Sequence, residues 1–282
     1  MLRVLIIGGG GVLGSALQRE MSELAAITLT QRRKPEARAY FDAESKDVGV
    51  ALADFDSVIY LAGLTSMKAC ELDRAKSERI NFRTPARLAE LCRELEVHFT
   101  FVSSSAAVVY DGLLKSEAVL LNQNRVKGAS TYGLHKYLAE REITQQSNAA
   151  VVRLSKVAGP RWPLVSDWIM TLRSGGIVET FHDHLMSPVT LDFAVTLLGR
   201  VALEEVSGVV SLSASDELFY TTAASALAKH VGCDSTRVIP RSTDTQVDPR
   251  LVLTRARLDT SRAQNLLQST TPTTLEVLLG YL

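Results

Sequence analysis

The sequence predicts an α/β fold: a doubly wound parallel β-sheet with helices on both faces, followed by a smaller C-terminal lobe. Three observations predict it. Short β-branched runs alternate with longer stretches of helical period through the first 160 residues, the rhythm of successive βαβ units. A glycine-rich turn separates the first such run from the first helical stretch. The run SVIYLA at 57–62 is apolar almost throughout, as a central strand covered on both sides requires.

Taken in order, the first strand is expected at about 2–7 and leads directly into Gly8, Gly11 and Gly14. The first of these glycines permits a tight turn, the second lets backbone approach a pyrophosphate, and the third lets helix and strand pack closely. Val12 and Leu13 then open a helix at about 12–23, whose free N–H groups would face the phosphates. In strand–turn–helix context this is a Rossmann-type dinucleotide-binding turn. A second strand at about 26–30 ends in Thr30-Gln31-Arg32-Arg33-Lys34. NAD sites usually carry a carboxylate there, ~20 residues past the glycines, for the ribose 2′-hydroxyl. Arg32 and Arg33 instead offer planar guanidiniums that suit a 2′-phosphate, so the cofactor predicted is NADP, with NAD less favoured. Asp42, after a short third strand, is a candidate for the adenine edge or a loop or cap aspartate. A helix is expected over 46–52 and a strand over 57–62. A long helix follows over 74–96, kinked or broken at Pro85. A strand over 98–102 ends in Ser103, Ser104 and Ser105, and a helix over 131–147 precedes a strand over 149–154. Beyond Pro160 the elements shorten, with a loose polar stretch at about 240–257 and a last helical piece near 273–281. The expected division is a cofactor-binding domain over 1–160 and a mostly substrate-binding lobe over 161–282, with the chain free to cross back.

The chemistry is predicted by the segment STYGLHKYLAERE. Tyr132 and Lys136 lie one helical turn apart on one face. A free tyrosine, with pKa near ~10, is a poor base at neutral pH, but a nearby ammonium favours its phenolate. The same phenol can donate a proton to a carbonyl oxygen as hydride reaches the carbon. A hydroxyl partner is expected where strand 98–102 ends, the edge at which open α/β sheets bind ligands. Register leaves Ser104 and Ser105 equal candidates.

Together these residues resemble the extended short-chain dehydrogenase/reductase superfamily, most closely its dTDP-4-dehydrorhamnose reductase group and related epimerases. The matching stretches are Gly8–Gly14, SVIYLAG at 57–63, ACELDRAKSERIN at 69–81, FVSSSAAVVYDG at 101–112, YGLHKYLAE at 132–140, VVRLSKVAGP at 151–160, SPVTLDFA at 187–194 and LDTS at 258–261. The resemblance implies a serine/Tyr132/Lys136 catalytic set, Asn81 supporting an active-site water network, and Ala62 and Gly63 lining the cofactor. It implies reduction by NADPH of a keto group on a nucleotide-activated sugar. Two other activities occur among such relatives: an NAD-dependent epimerase, and a non-catalytic NADP-binding subunit such as the regulatory partner of methionine adenosyltransferase. Ala106 and Ala107 stand where dehydratases carry an acidic pair and where rhamnose reductases often carry Thr-Asp. The segment 113–131 also lacks the usual prolines and clustered acids. Both departures set substrate recognition apart.

Other features exclude or weaken alternatives. Thirty-one basic residues balance 31 acidic ones with no long like-charged run, which argues against a nucleic-acid partner. The apolar N-terminal run stops at the glycines, too short for a signal or a membrane span. Three scattered cysteines, Cys70, Cys92 and Cys233, read as reduced thiols, so a cytoplasmic protein is expected. A homodimer is compatible with the pattern, though no apolar stripe marks an interface. His182, Asp183 and His184 lack a third ligand partner and the two histidines do not share a helix face, so no metal is predicted. His135 reads as packing beside its helix or facing solvent. Trp162 and Trp168 are candidates for base stacking or lobe packing. Arg153 and Arg161 are candidates for a diphosphate clamp or structural ion pairs.

Overall fold

Val4, Leu5, Ile6 and Ile7 are all fully buried, and they divide between two cores. Val4 and Ile6 join one cluster, Leu5 and Ile7 the other. Successive side chains of a strand point to opposite faces, so an uninterrupted apolar run demands cover on both. The structure, a computed structural model, describes residues 1–30, 40–43, 48–49, 51–108, 130–159, 162–244, 252 and 256–281.

Strand β1 (Leu2–Ile7) leads through the glycine turn to helix α1 (Val12–Met21) and then β2 (Ala25–Leu29). The short β3 (Tyr40–Phe41) pairs antiparallel with β4 (Val48–Gly49). Among the described residues the helix expected over 46–52 is therefore corrected: Val48–Gly49 is extended, and a 3₁₀ turn spans Leu52–Asp54. A short apolar run fits either period, and valine and glycine there favour extension over helix. Strand β5 (Ser57–Tyr60) then enters the sheet. A short helix α2 (Met67–Leu72) ends at Asp73, and the long helix then begins where its pattern places it, as α3 (Arg74–Glu78). It continues through a π-helical turn at Arg79–Arg83 into α4 (Thr84–Glu94). Pro85 thus sits in the first turn of α4, where a missing N–H costs little. The wider hydrogen-bond ring just before it takes up the misfit, with Thr84 N donating to Arg79 O. Strand β6 (His98–Ser104), helix α5 (Thr131–Ile143) and strand β7 (Ala149–Leu154) complete this half.

Beyond it come β8 (Val157–Ala158), α6 (Pro163–Arg173), β9 (Val178–Phe181), β10 (Leu185–Met186), β11 (Val189–Thr190) and α7 (Leu191–Leu203). These are followed by β12 (Gly208–Leu212), β13 (Leu218–Phe219), α8 (Tyr220–His230), β14 (Val238–Arg241), α9 (Ser261–Leu267) and α10 (Thr274–Leu279). The main sheet runs β12-β7-β6-β5-β1-β2, six strands with every pairing parallel. This is the Rossmann-like fold expected. Strand β12 comes from the second half of the chain, and α7 packs against α1 in the same core. A third core gathers Trp162, Val165, Trp168, Leu172, Ala224 and Leu227 with Val277 and Leu278. Among the described residues no helix is long and apolar enough to cross a membrane.

Candidate active site

The glycine turn is built for close approach. Gly8 has φ +85°, and a Cβ there would stand 2.7 Å from Ala62 N. Its own N–H donates to Thr30 Oγ1 at 3.1 Å, tying the turn to the end of β2. A Cβ on Gly14 would meet Gly9 Cα at 2.5 Å, so α1 packs backbone against backbone. Gly11 caps α1 without a side-chain hydrogen bond, and a Cβ on it would meet nothing nearer than Gly8 O at 4.0 Å. Space therefore lies open above the helix N-terminus, where a dinucleotide's phosphates would bind. Val12 is exposed and Leu13 half-buried at this rim. After β5, Leu61 N and Ala62 N both donate to Ile7 O, so the chain folds over the sheet edge. A pocket of about 160 Å³ opens there, lined by Gly8, Thr30, Asp42, Ala62, Gly63 and Ile80. These residues fit a dinucleotide cofactor. Arg32 and Arg33 lie outside the described residues.

The catalytic candidates meet at the C-terminal end of β6. Ser130 caps α5 by accepting from Gly133 N at 3.1 Å, and Glu71 Oε1 of α2 accepts from Thr131 N at 2.7 Å. These two contacts fix the first turn, which carries Tyr132. Burial pushes the Tyr132 phenol up to about 12, while a hydrogen bond with Ser104 holds it down. Ser104 is half-buried and Ser105 buried. Of the two, Ser104 is the one whose hydroxyl lowers the Tyr132 pKa. Lys136, 4% exposed, donates from Nζ to Val102 O at 2.8 Å and lies 4.4 Å above the Phe101 ring centroid. Burial pulls its pKa down to about 8, and Glu140 opposes that. The Lys136 ammonium faces a carbonyl and a ring and lies 6.0 Å from the Tyr132 ring centroid.

Asn81, fully buried, borders the same place. Its Oδ1 accepts from Leu64 N at 3.0 Å and its Nδ2 donates to Leu64 O at 3.1 Å. The amide thus holds the loop carrying Ala62 and Gly63. His135 is buried, with Nδ1 2.8 Å from Ser77 Oγ. Cys70, whose Sγ donates to Leu64 O at 3.1 Å, is a neighbour that the sequence did not flag. Nor did it flag Glu71, since no local pattern announces a cap supplied from 60 residues away.

The remaining candidates fall elsewhere. Arg153 is 1% exposed and pairs with Glu140 through Nη2 at 2.8 Å and Nε at 3.1 and 3.2 Å. It is a structural ion pair, as one of its two readings held. Arg161 lies outside the described residues. Trp162 packs against Tyr281 and Trp168 against Tyr220, with centroids 6.1 and 6.0 Å apart, so both serve the third core. His184 packs on Tyr220, with centroids 4.8 Å apart. Asp183 accepts from Thr243 N, Thr243 Oγ1 and Ser242 Oγ. Among the described residues no cluster of three His, Cys, Asp or Glu is arranged to hold a metal, and the three cysteines are free thiols.

Comparison with known proteins finds relatives over nearly the whole chain. The protein described as "Probable low-salt glycan biosynthesis reductase Agl14" from Haloferax volcanii is 24% identical, over 95% of this chain and 93% of its own length. A dTDP-4-dehydrorhamnose reductase from Yersinia enterocolitica superposes with a TM-score of 0.84 at 16% identity, covering 100% of this chain and 98% of its own. The Bacillus anthracis dTDP-4-dehydrorhamnose reductase in complex with NADP gives 0.79 at 17% identity, over 100% and 98% of the two chains. The family described as RmlD substrate binding domain matches residues 2–278. With nearly the whole chain matched, the protein belongs to the RmlD substrate binding domain family, in the extended short-chain dehydrogenase/reductase group.

Proposed function

We propose that the chain is an NADPH-dependent reductase of a keto group on a nucleotide-activated sugar. One observation carries the chemistry: the Tyr132 phenol is buried beside Ser104, with Lys136 one helical turn on, and burial raises its pKa. A phenol held in that state is equipped to give a proton to a carbonyl oxygen, the need of a reduction. An epimerase starts by oxidising its sugar and needs the same residue as a base. The turn Gly8–Gly14, Asp42, Ala62 and Gly63 would hold the cofactor, with Arg32 and Arg33 supplying charge for a 2′-phosphate. Bound NADPH supplies the hydride. Ser104 would orient the substrate carbonyl, Tyr132 would pass its proton to that oxygen, and Lys136 would hold the cofactor's ribose. The third core, drawn from beyond residue 157, would frame the substrate. The Agl14 and dTDP-4-dehydrorhamnose reductase relatives support this reading, as does the NADP held by the Bacillus anthracis structure. Its three free thiols suit the reducing cytoplasm.

The test is a titration with NADPH and NADH, followed by turnover of 4-keto sugar nucleotides. NADPH is expected to bind more tightly, with the preference lost in Arg32→Ala/Arg33→Ala. Tyr132→Phe is expected to lower turnover by about 10²- to 10⁴-fold with NADPH binding retained. Tightly retained NAD, or turnover that survives Tyr132→Phe, overturns the reading.

A further inference from the structure

We propose that His135 and Ser77 are positioning residues of the active centre. A hydrogen-bonded chain His135–Ser77–Asn81 ties the catalytic helix α5 to the Gly63–Leu64 loop beside Lys136, and the Ser77 proton within it faces His135 only while that ring is neutral. This rests on the reductase reading for its catalytic meaning, but the chain itself is a matter of geometry.

The links are short and buried. His135 Nδ1 lies 2.8 Å from Ser77 Oγ, and Asn81 Nδ2 donates to Ser77 Oγ at 3.2 Å. The same amide holds both backbone polar groups of Leu64. Those two bonds fix which way the amide faces, because Oδ1 must meet the Leu64 N–H. With Asn81 donating to it, the Ser77 hydroxyl has its own proton to place, and a neutral imidazole in its Nε2–H tautomer accepts it at Nδ1. An imidazolium carries protons on both nitrogens and cannot accept. Ser77 would then face two donors and have to turn its proton away, towards Cys70, which is within its hydrogen-bonding reach.

The far end of the chain lies at the active centre. A Cβ on Gly63 would stand 3.3 Å from Asn81 Oδ1 and 3.8 Å from Lys136 Nζ. The amide and the ammonium therefore border the same small space. Near His135, α2 contributes Glu71, α3 contributes Arg74 and Glu78, the π-helical turn contributes Arg83, and α5 itself carries Tyr132, Lys136 and Glu140. Arg74 pairs with Glu71 at 3.1 Å and Arg83 with Glu78 at 2.8 Å. The charges facing the ring thus largely cancel, and burial holds its pKa below the usual 6.5. At neutral pH the chain is intact.

Two measurements on the full-length protein test this. In the first, the Leu64 backbone amide resonance is followed against pH alongside the His135 ring. It is expected to titrate with His135 in the wild type and to lose that dependence in Ser77→Ala and in His135→Asn. In the second, kcat/KM is measured against pH with NADPH and a 4-keto sugar nucleotide. His135→Phe is expected to lose about ten- to hundredfold in kcat, the scale of a small misplacement at a reacting centre. His135→Asn puts an acceptor where Nδ1 stood, so it should restore most of that loss and abolish the acid-side fall of the wild type. A Leu64 amide indifferent to His135, or a His135→Phe enzyme with wild-type kcat and pH profile, overturns the proposal. A wild type whose Leu64 follows His135 but which reduces no keto sugar supports the chain and sinks the reductase reading instead.

Discussion

Lys136 sits between two demands. Its Nζ is buried against Val102 O and the Phe101 ring, which brings its pKa to about 8 from the usual 10.5. Its proposed role of holding the cofactor needs the charged form. Between about 8 and 10.5 the unfolded chain binds more protons at this residue than the folded one, so its contribution to stability grows as pH rises through that window. The charge needed for function is lost in the same window. We expect kcat/KM to fall as pH rises through about 8 while the urea midpoint does not fall with it. A rate profile flat across that range would remove Lys136 from the cofactor site. Tyr132, raised from 10.0 to about 12, works in the opposite sense on stability, over a window that overlaps only the top of the lysine one.

At the scale of elements, the proposed active centre depends on how closely α5 approaches the end of β6. A Cβ on Gly133 would lie 2.2 Å from Ala106 O, a backbone atom in the 3₁₀ turn Ser105–Ala107. Backbone cannot rotate aside as a side chain can. Gly133→Ala should therefore separate helix and turn, at a cost of about 1–3 kcal/mol, and pull Tyr132 away from Ser104. The expected outcome is a lower melting temperature with kcat reduced more than NADPH affinity, read by thermal denaturation and steady-state kinetics. Unchanged kcat would mean that the Ser104–Tyr132 contact is dispensable. The π-helical turn at Arg79–Arg83 acts at the same scale. It lets the path from α3 to α4 absorb Pro85 while keeping Ile80, Asn81 and Phe82 buried, and Asn81 is the residue that clamps the Leu64 loop.

For the whole molecule, the buried Glu140–Arg153 pair joins α5 to β7 across the sheet face. Breaking one partner of such a pair leaves a buried charge uncompensated, at a cost of about 3–5 kcal/mol. Arg153→Met should lower the urea midpoint accordingly, and Glu140→Leu/Arg153→Met should recover most of it. A single variant as stable as the wild type would show the pair to be solvated in solution. How far this architecture can be read in advance follows from the range of the forces involved. β1, the glycine turn and α1 were legible because their causes are local: a continuous apolar run, glycines spaced three apart, and backbone N–H groups at a helix start. Tyr132 and Lys136 were legible because 3.6 residues per turn puts them on one face whatever surrounds them. The helix expected over 46–52 failed because antiparallel pairing of Val48–Gly49 with Tyr40–Phe41 outweighed an ambiguous local pattern. α9 at Ser261–Leu267 left too short a pattern to announce itself; it packs on α7 and β12, which the chain reaches only by crossing back to the main sheet. By itself, then, the sequence determined the α/β class, the dinucleotide turn and the Tyr/Lys pair, all set by neighbours along the chain. Tertiary structure alone decided that Ser104 stands beside Tyr132, that Arg153 pairs with Glu140 and that burial raises the pKa of the phenol, because each depends on groups that only folding brings together and removes from water.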